Sequence, residues 1–236
     1  MSEIKINPHA RLDRSGIRRI FQVVGFLLVF AALLFLLAGH LDWWEAWAYL
    51  GIYLLSLTAN GLWTLRHDPG VINERGRIAA NVKSWDKVIA VIYLVLLVGT
   101  LFVAGLDERF GWSSAPLWVE VVGAAGFILS LALVFWVMTA NTFLSSYVRI
   151  QDDRGHTTVT RGPYRFVRHP MYAGMLFMFW GTPLLLGSWW ALVPAVLNAI
   201  LFVVRTALED RTLQAELVGY KDYAQKVRYR LIPGVW

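Results

Sequence analysis

Apolar residues in this chain run for close to twenty positions at a time, six times over, and that pattern leaves few folds open. The runs are roughly Ile20–Gly39, Trp43–Leu65, Val88–Leu106, Leu117–Ala140, Met171–Gly187 and Trp189–Val204. A helix of about 20 apolar residues spans the hydrocarbon core of a bilayer. In lipid the backbone must satisfy its own polar groups, which a helix does within one segment. The expected class is therefore an all-α integral membrane protein with about six transmembrane helices. Charged residues make up only 16% of the 236, against about 25% in a soluble domain. The first run is too long for a cleavable leader and lacks a small-residue cleavage site. The last two runs are short and joined only by Gly187-Ser188. They predict a tight helical hairpin, which Pro183 and Pro194 can kink.

The basic residues test this count. Every Lys and Arg except Arg109 falls before Ile20, in 66–87, in 149–168 or after Val204. Six spans put all four segments on one side, and the positive-inside rule makes that side cytoplasmic. Five or seven spans would break the pattern. The chain then divides into a cytoplasmic basic tail (1–19), four N-terminal transmembrane helices (20–140) and a region (141–236) with the last two. Both termini are expected in the cytoplasm. Topology accounts for the net charge of +6, so no nucleic-acid partner is implied. Cysteine is absent, which excludes disulfides, thiolate metal sites and cysteine nucleophiles. Neither HExxH, GxSxG, a P-loop nor GxGxxG occurs.

Two polar clusters remain. The first is Arg161–Gly174, RGPYRFVRHPMYAG. Pro163 and Pro170 fix their own φ and push the preceding residue out of the α region. Pro170 reads as the first-turn residue of a helix, with His169 extended at its mouth. Free N–H groups and the helix dipole make such a mouth a natural anion site. The second cluster is Arg205, Glu209 and Asp210, where Arg205 and Glu209 share a helix face at i and i+4. Beyond Val204, Leu208, Leu213, Leu217 and Tyr220 keep helical spacing, until Gly219 weakens or ends the pattern. The closing residues fold back on the membrane surface in this reading. Taken singly, these features suit an ordinary juxtamembrane ion pair and a loop that binds anionic lipid.

Taken together they carry a resemblance. Arg161-Gly162-Pro163-Tyr164, then Arg168-His169-Pro170-Met171-Tyr172 with Gly174, then Arg205 and Glu209-Asp210 with Leu213, resembles the isoprenylcysteine carboxyl methyltransferase family. Membrane phospholipid N-methyltransferases share much of the pattern. The resemblance covers roughly residues 141–225. It implies S-adenosylmethionine as the methyl donor, held by a cytoplasmic loop, a helix mouth and a C-terminal helix. By position it implies that His169, Pro170, Met171 and Tyr172 cradle the cofactor. Tyr164, His156, Thr157, Thr158 and Val159 would line the adenosine side, with Gln151 joining them. Glu209 would fix a polar group of the cofactor and Arg205 would face the substrate, these two being the catalytic positions. The family's Glu-Glu pair is Glu209-Asp210 here. The implied acceptor is lipid-like and enters from the bilayer.

The chemistry agrees with that implication. A sulfonium donor permits direct displacement, so no metal and no covalent enzyme intermediate are needed. Positioning and exclusion of water then carry catalysis. A carboxylate acceptor is already ionised, and an arginine gripping it at two points supplies geometry. Carboxyl O-methylation is thus the expected reaction. The alternatives are N-methylation of a phospholipid amine, a sterol-type membrane reductase using NADPH, and a transporter or scaffold. A transporter more often carries charges within its spans, whereas Asn60, Glu120 and Asn198 are the chief polar candidates here.

Overall fold

A computed structural model describes residues 11–77, 82–151 and 155–236; the basic tail before Arg11 lies outside the described residues. These residues form eight α-helices and no strand. They are α1 (Arg14–Ala38), α2 (Trp44–His67), α3 (Pro69–Gly76), α4 (Ser84–Phe110), α5 (Leu117–Ala140), α6 (Pro170–Leu185), α7 (Leu192–Glu216) and α8 (Tyr220–Lys226). By length and composition α1, α4, α5 and α7 can each cross a membrane. Their outer faces stay apolar and open: Phe21 is 72% exposed and Leu36 76%. An apolar surface on that scale needs a non-aqueous partner, and the chain is an all-α integral membrane protein.

Each of the six apolar runs contains a helix, but several boundaries differ from the sequence reading. Residues 14–19 belong to α1 rather than to a tail, because Asp13 caps that helix. Its carboxylate accepts the backbone N–H groups of Ser15 (2.8 Å) and Gly16 (3.0 Å). α4 continues through Asp107, Glu108 and Arg109 until Gly111, whose φ of 60° ends it. The short helix α3 was not expected. Its start was readable, since Asp68 accepts the Gly70 N–H just ahead of Pro69 at the first turn. α6 begins at Pro170 and has 16 residues, or about 24 Å of rise. Leu186–Ala191 turn the chain back into α7, with Gly187 at φ 70°.

α6 compensates for its shortness by close packing on α5. A Cβ on Gly123 would sit 2.3 Å from the Leu185 nitrogen, and one on Gly181 would sit 2.6 Å from the Phe127 nitrogen. Small residues at such a seam let two membrane helices approach backbone to backbone. Around it Leu34, Trp43, Leu101, Phe127 and Leu185 form a buried core.

Polar networks tie the helix ends. At one end Asp107 accepts the Ser113 N–H (2.7 Å) and hydroxyl (2.6 Å) and the Ser188 hydroxyl. At the other, the Asn73 side chain accepts the Asp13 N–H (3.0 Å) and donates to the Arg11 carbonyl (2.9 Å). That second end also holds the functional cluster.

Candidate active site

At the mouth of α6 the C-terminal segment folds back over the chain. The N–H groups of Arg168 and His169 donate to the carbonyls of Tyr229 and Arg230, both at 2.9 Å. Arg168 Nη1 reaches three further carbonyls, of Ala224, Val227 and Arg228, at 3.2 to 3.3 Å. The hub beneath is Asp210, whose side chain has no exposure. Arg168 lies 2.8 Å from Oδ1 through Nε, and Arg230 3.0 Å from Oδ2. Gln214 Nε2 donates to Oδ2 at 2.7 Å and the Tyr220 hydroxyl to Oδ1 at 3.1 Å. His169 Nε2 stands 3.2 Å from Oδ1, and its ring stacks on Tyr172 with centroids 5.8 Å apart. One carboxylate thus joins α6, α7, α8 and the C-terminal segment.

This frame encloses a cavity that opens to the surface. His169, Pro170, Met171 and Tyr172 form one wall and Glu209 another; Gln151, His156, Thr157, Thr158, Val159 and Tyr164 line it as well. The loop is held in place from several directions. Gln151 Nε2 donates to the Phe143 carbonyl, His156 packs on the Phe143 ring (4.8 Å), and the Thr158 hydroxyl donates to the Val218 carbonyl (3.0 Å). Tyr164 sits in a 3₁₀ turn, Gly162–Arg165. Gly162 has φ 59°, and a Cβ there would come 2.8 Å from that of Ala140, so only glycine suits the position. Asn141 donates to the Tyr164 hydroxyl (2.8 Å), and the Tyr223 hydroxyl to the Tyr164 carbonyl (2.7 Å). Burial first, and for Tyr220 the Asp210 charge next, pushes the phenols of Tyr164, Tyr220 and Tyr223 well above their usual range. They stay protonated at neutral pH, and Tyr220 and Tyr223 act as donors.

Glu209 accepts the Tyr172 hydroxyl. Arg205 does not line the cavity. Its guanidinium is 5.2 Å from the Tyr172 ring, but its Nε and Nη2 pair with Asp86 at 2.8 and 3.1 Å. Nη2 also donates to the Ser146 carbonyl at 3.3 Å, and Nη1 has no partner among the described residues. Arg205 therefore does not offer the two-point grip expected of it, because Asp86 occupies that edge. Asp86 escaped the sequence reading. So did Asn141, Phe143 and Arg149, which line the cavity from the segment after α5. Asp86 stands between Lys83 and Lys87, which read as an orienting charge cluster. In the structure its second oxygen accepts the Val148 N–H at 2.7 Å.

Residues 118–217, which contain the α6 mouth, the 156–159 loop and Glu209-Asp210, match the phospholipid methyltransferase family. Methanethiol S-methyltransferase 1 of Bradyrhizobium diazoefficiens is 40% identical over 72 residues, 30% of this chain and 24% of that protein. A probable protein-S-isoprenylcysteine O-methyltransferase of Oryza sativa subsp. indica is 31% identical over 93 residues, 39% of this chain and 49% of that protein. The uncharacterized protein YpbQ of Bacillus subtilis is 23% identical over 174 residues, 71% of this chain and 96% of its own length. Over this segment the chain is similar to the phospholipid methyltransferase family and to isoprenylcysteine O-methyltransferases. It spans less than half the length of the first two relatives.

Proposed function

We propose that the protein is an S-adenosylmethionine-dependent membrane methyltransferase, with the cofactor in this cavity and a lipid-like acceptor arriving from the bilayer. The observation that carries this reading is that one cavity unites the α6 mouth, the 156–159 loop and Glu209. The donor set fits the group. Glu209 and the Tyr172 face suit a sulfonium, since a carboxylate and an aromatic ring both attract a cation. The hydroxyls of Thr157 and Thr158 suit a ribose, and Phe143 with His156 offers flat surface to a purine. Bound there, the cofactor supplies an electrophilic methyl group. The chain holds it, orients the acceptor and keeps water out.

The acceptor group in this proposal is a carboxylate. Arg205 Nη1 remains available for one hydrogen bond to an anion, and Asp86 holds the rest of the guanidinium still. Incubation with methyl-labelled S-adenosylmethionine and membrane lipid should label a lipid product that releases methanol under mild alkali. An alkali-stable label on a lipid amine would instead favour phospholipid N-methylation. NADPH-dependent reduction without methyl transfer would favour the reductase.

α1, α2, α4, α5, α6 and α7 all span the bilayer in this proposal, with the termini and the cavity on the cytoplasmic side. α1, α2, α4 and α7 carry basic residues at that end. Ser84 and Ser114 are both exposed, and the chain has no cysteine, so single cysteines report cleanly. Ser114→Cys should react with an impermeant maleimide in intact cells, and Ser84→Cys only after permeabilisation. Equal reaction of both in intact cells would rule out the six-span arrangement.

A further inference from the structure

We propose that Arg75, Arg19 and Asn60 form a second binding site, for the oxyanion (carboxylate or phosphate) of an amphiphile lying between α1, α2, α3 and α5. Arg75 projects from α3 toward α5, and its Nε is buried with no hydrogen-bond partner. Its Nη1 donates at 3.4 Å to the Met138 sulfur, and Asn60 Nδ2 donates to that same sulfur at 3.1 Å. A thioether is a weak acceptor, so among the described residues two strong donors converge on a sulfur rather than on an oxygen. Burial, then the charge of nearby Arg19, pushes the Arg75 pKa down to about 10. Among the described residues no carboxylate pairs with either arginine. Desolvated cations side by side are costly unless an anion joins them.

The surroundings select a lipid over a free ion. Phe26, two helical turns beyond Arg19 and on the same face of α1, is 47% exposed. An acyl chain can lie along that apolar face while its head group meets the donors. The site neighbours the cavity without belonging to it. Arg75 is within electrostatic reach of Tyr164, which lines the cavity, but neither Arg75 nor Asn60 does. The assignment is independent of the methyltransferase reading, and the two can fail separately.

Dodecyl phosphate, added to the protein in neutral maltoside micelles, tests it by thermal unfolding. Saturation should raise the melting temperature by roughly 5 °C, as a ligand of the native state does. Arg75→Met should keep its ligand-free melting temperature and lose the shift, because it removes an unpaired buried charge. Asn60→Leu should lose most of the shift and serves if Arg75→Met does not fold. Any shift given by S-adenosylhomocysteine should survive both changes. No rise in the wild type, or an equal rise in Arg75→Met and Asn60→Leu, would overturn the site. An equal rise with inorganic phosphate alone would overturn its assignment to a lipid.

Discussion

Asp210→Asn should lower the melting temperature of the detergent-purified protein by about 10 °C. Breaking a buried ion pair from one side costs about 3–5 kcal/mol, and each kcal/mol shifts a chain of this size by roughly 2–4 °C. Asparagine matches the shape, so no cavity contributes. What is lost is the charge that faces Arg168 and Arg230, both of which hold the C-terminal segment. Limited proteolysis should then open that segment near Arg228 before the helices are cut. Asp210→Glu keeps the charge but adds a methylene where the side chain has no exposure, so it should fall between the two. A loss under about 2 °C in Asp210→Asn would mean that Arg168 and Arg230 are stabilised from elsewhere.

The second large effect is expected at Asp86, and it should appear chiefly in turnover. Asp86 has no exposed surface and binds Arg205 on one side and the Val148 N–H on the other. It thereby joins α4 to α7 and to the loop that lines the cavity. Asp86→Ala frees Arg205 to move, and a misplacement of about 1 Å can cost on the order of 10²-fold in rate. Methyl transfer should fall by about that factor. Affinity for S-adenosylhomocysteine should change by less than about threefold, or 0.7 kcal/mol, because neither residue lines the cavity. Arg205→Lys should also lose rate, since an ammonium cannot bind Asp86 through two nitrogens. In the double variant Asp86→Ala/Arg205→Met the losses should not add, as befits two residues acting as one unit. Additive losses would separate their roles.

The apolar runs made the long helices legible, because hydrophobicity is local and most of the runs are long. The α6 start was legible too, since a proline that cannot donate suits only the first turn. The basic segments showed which helix ends gather, because charge asymmetry survives without any knowledge of packing. Asp86 was hidden for the opposite reason: its partner Arg205 lies 119 residues away, and nothing periodic links them. Reading Arg205 alone left its second edge open to a substrate, while the folded chain closes it. Asn60 was noted only as a polar residue within a span, and its meaning required α3, a helix too short to show periodicity. Glu209-Asp210 looked like one acidic pair. Packing separates them, placing Asp210 in the frame and Glu209 at the cavity wall.

The most direct test is calorimetric titration of the purified protein with S-adenosylhomocysteine. We expect saturable binding of one equivalent, competed by S-adenosylmethionine and not by NADPH. Glu209→Gln should weaken it by about tenfold or more, since a hydrogen bond to a charged group is worth roughly 1.5–3 kcal/mol. Binding of NADPH with none of S-adenosylhomocysteine, or unchanged affinity in Glu209→Gln, would contradict the assignment of this cavity to the methyl donor.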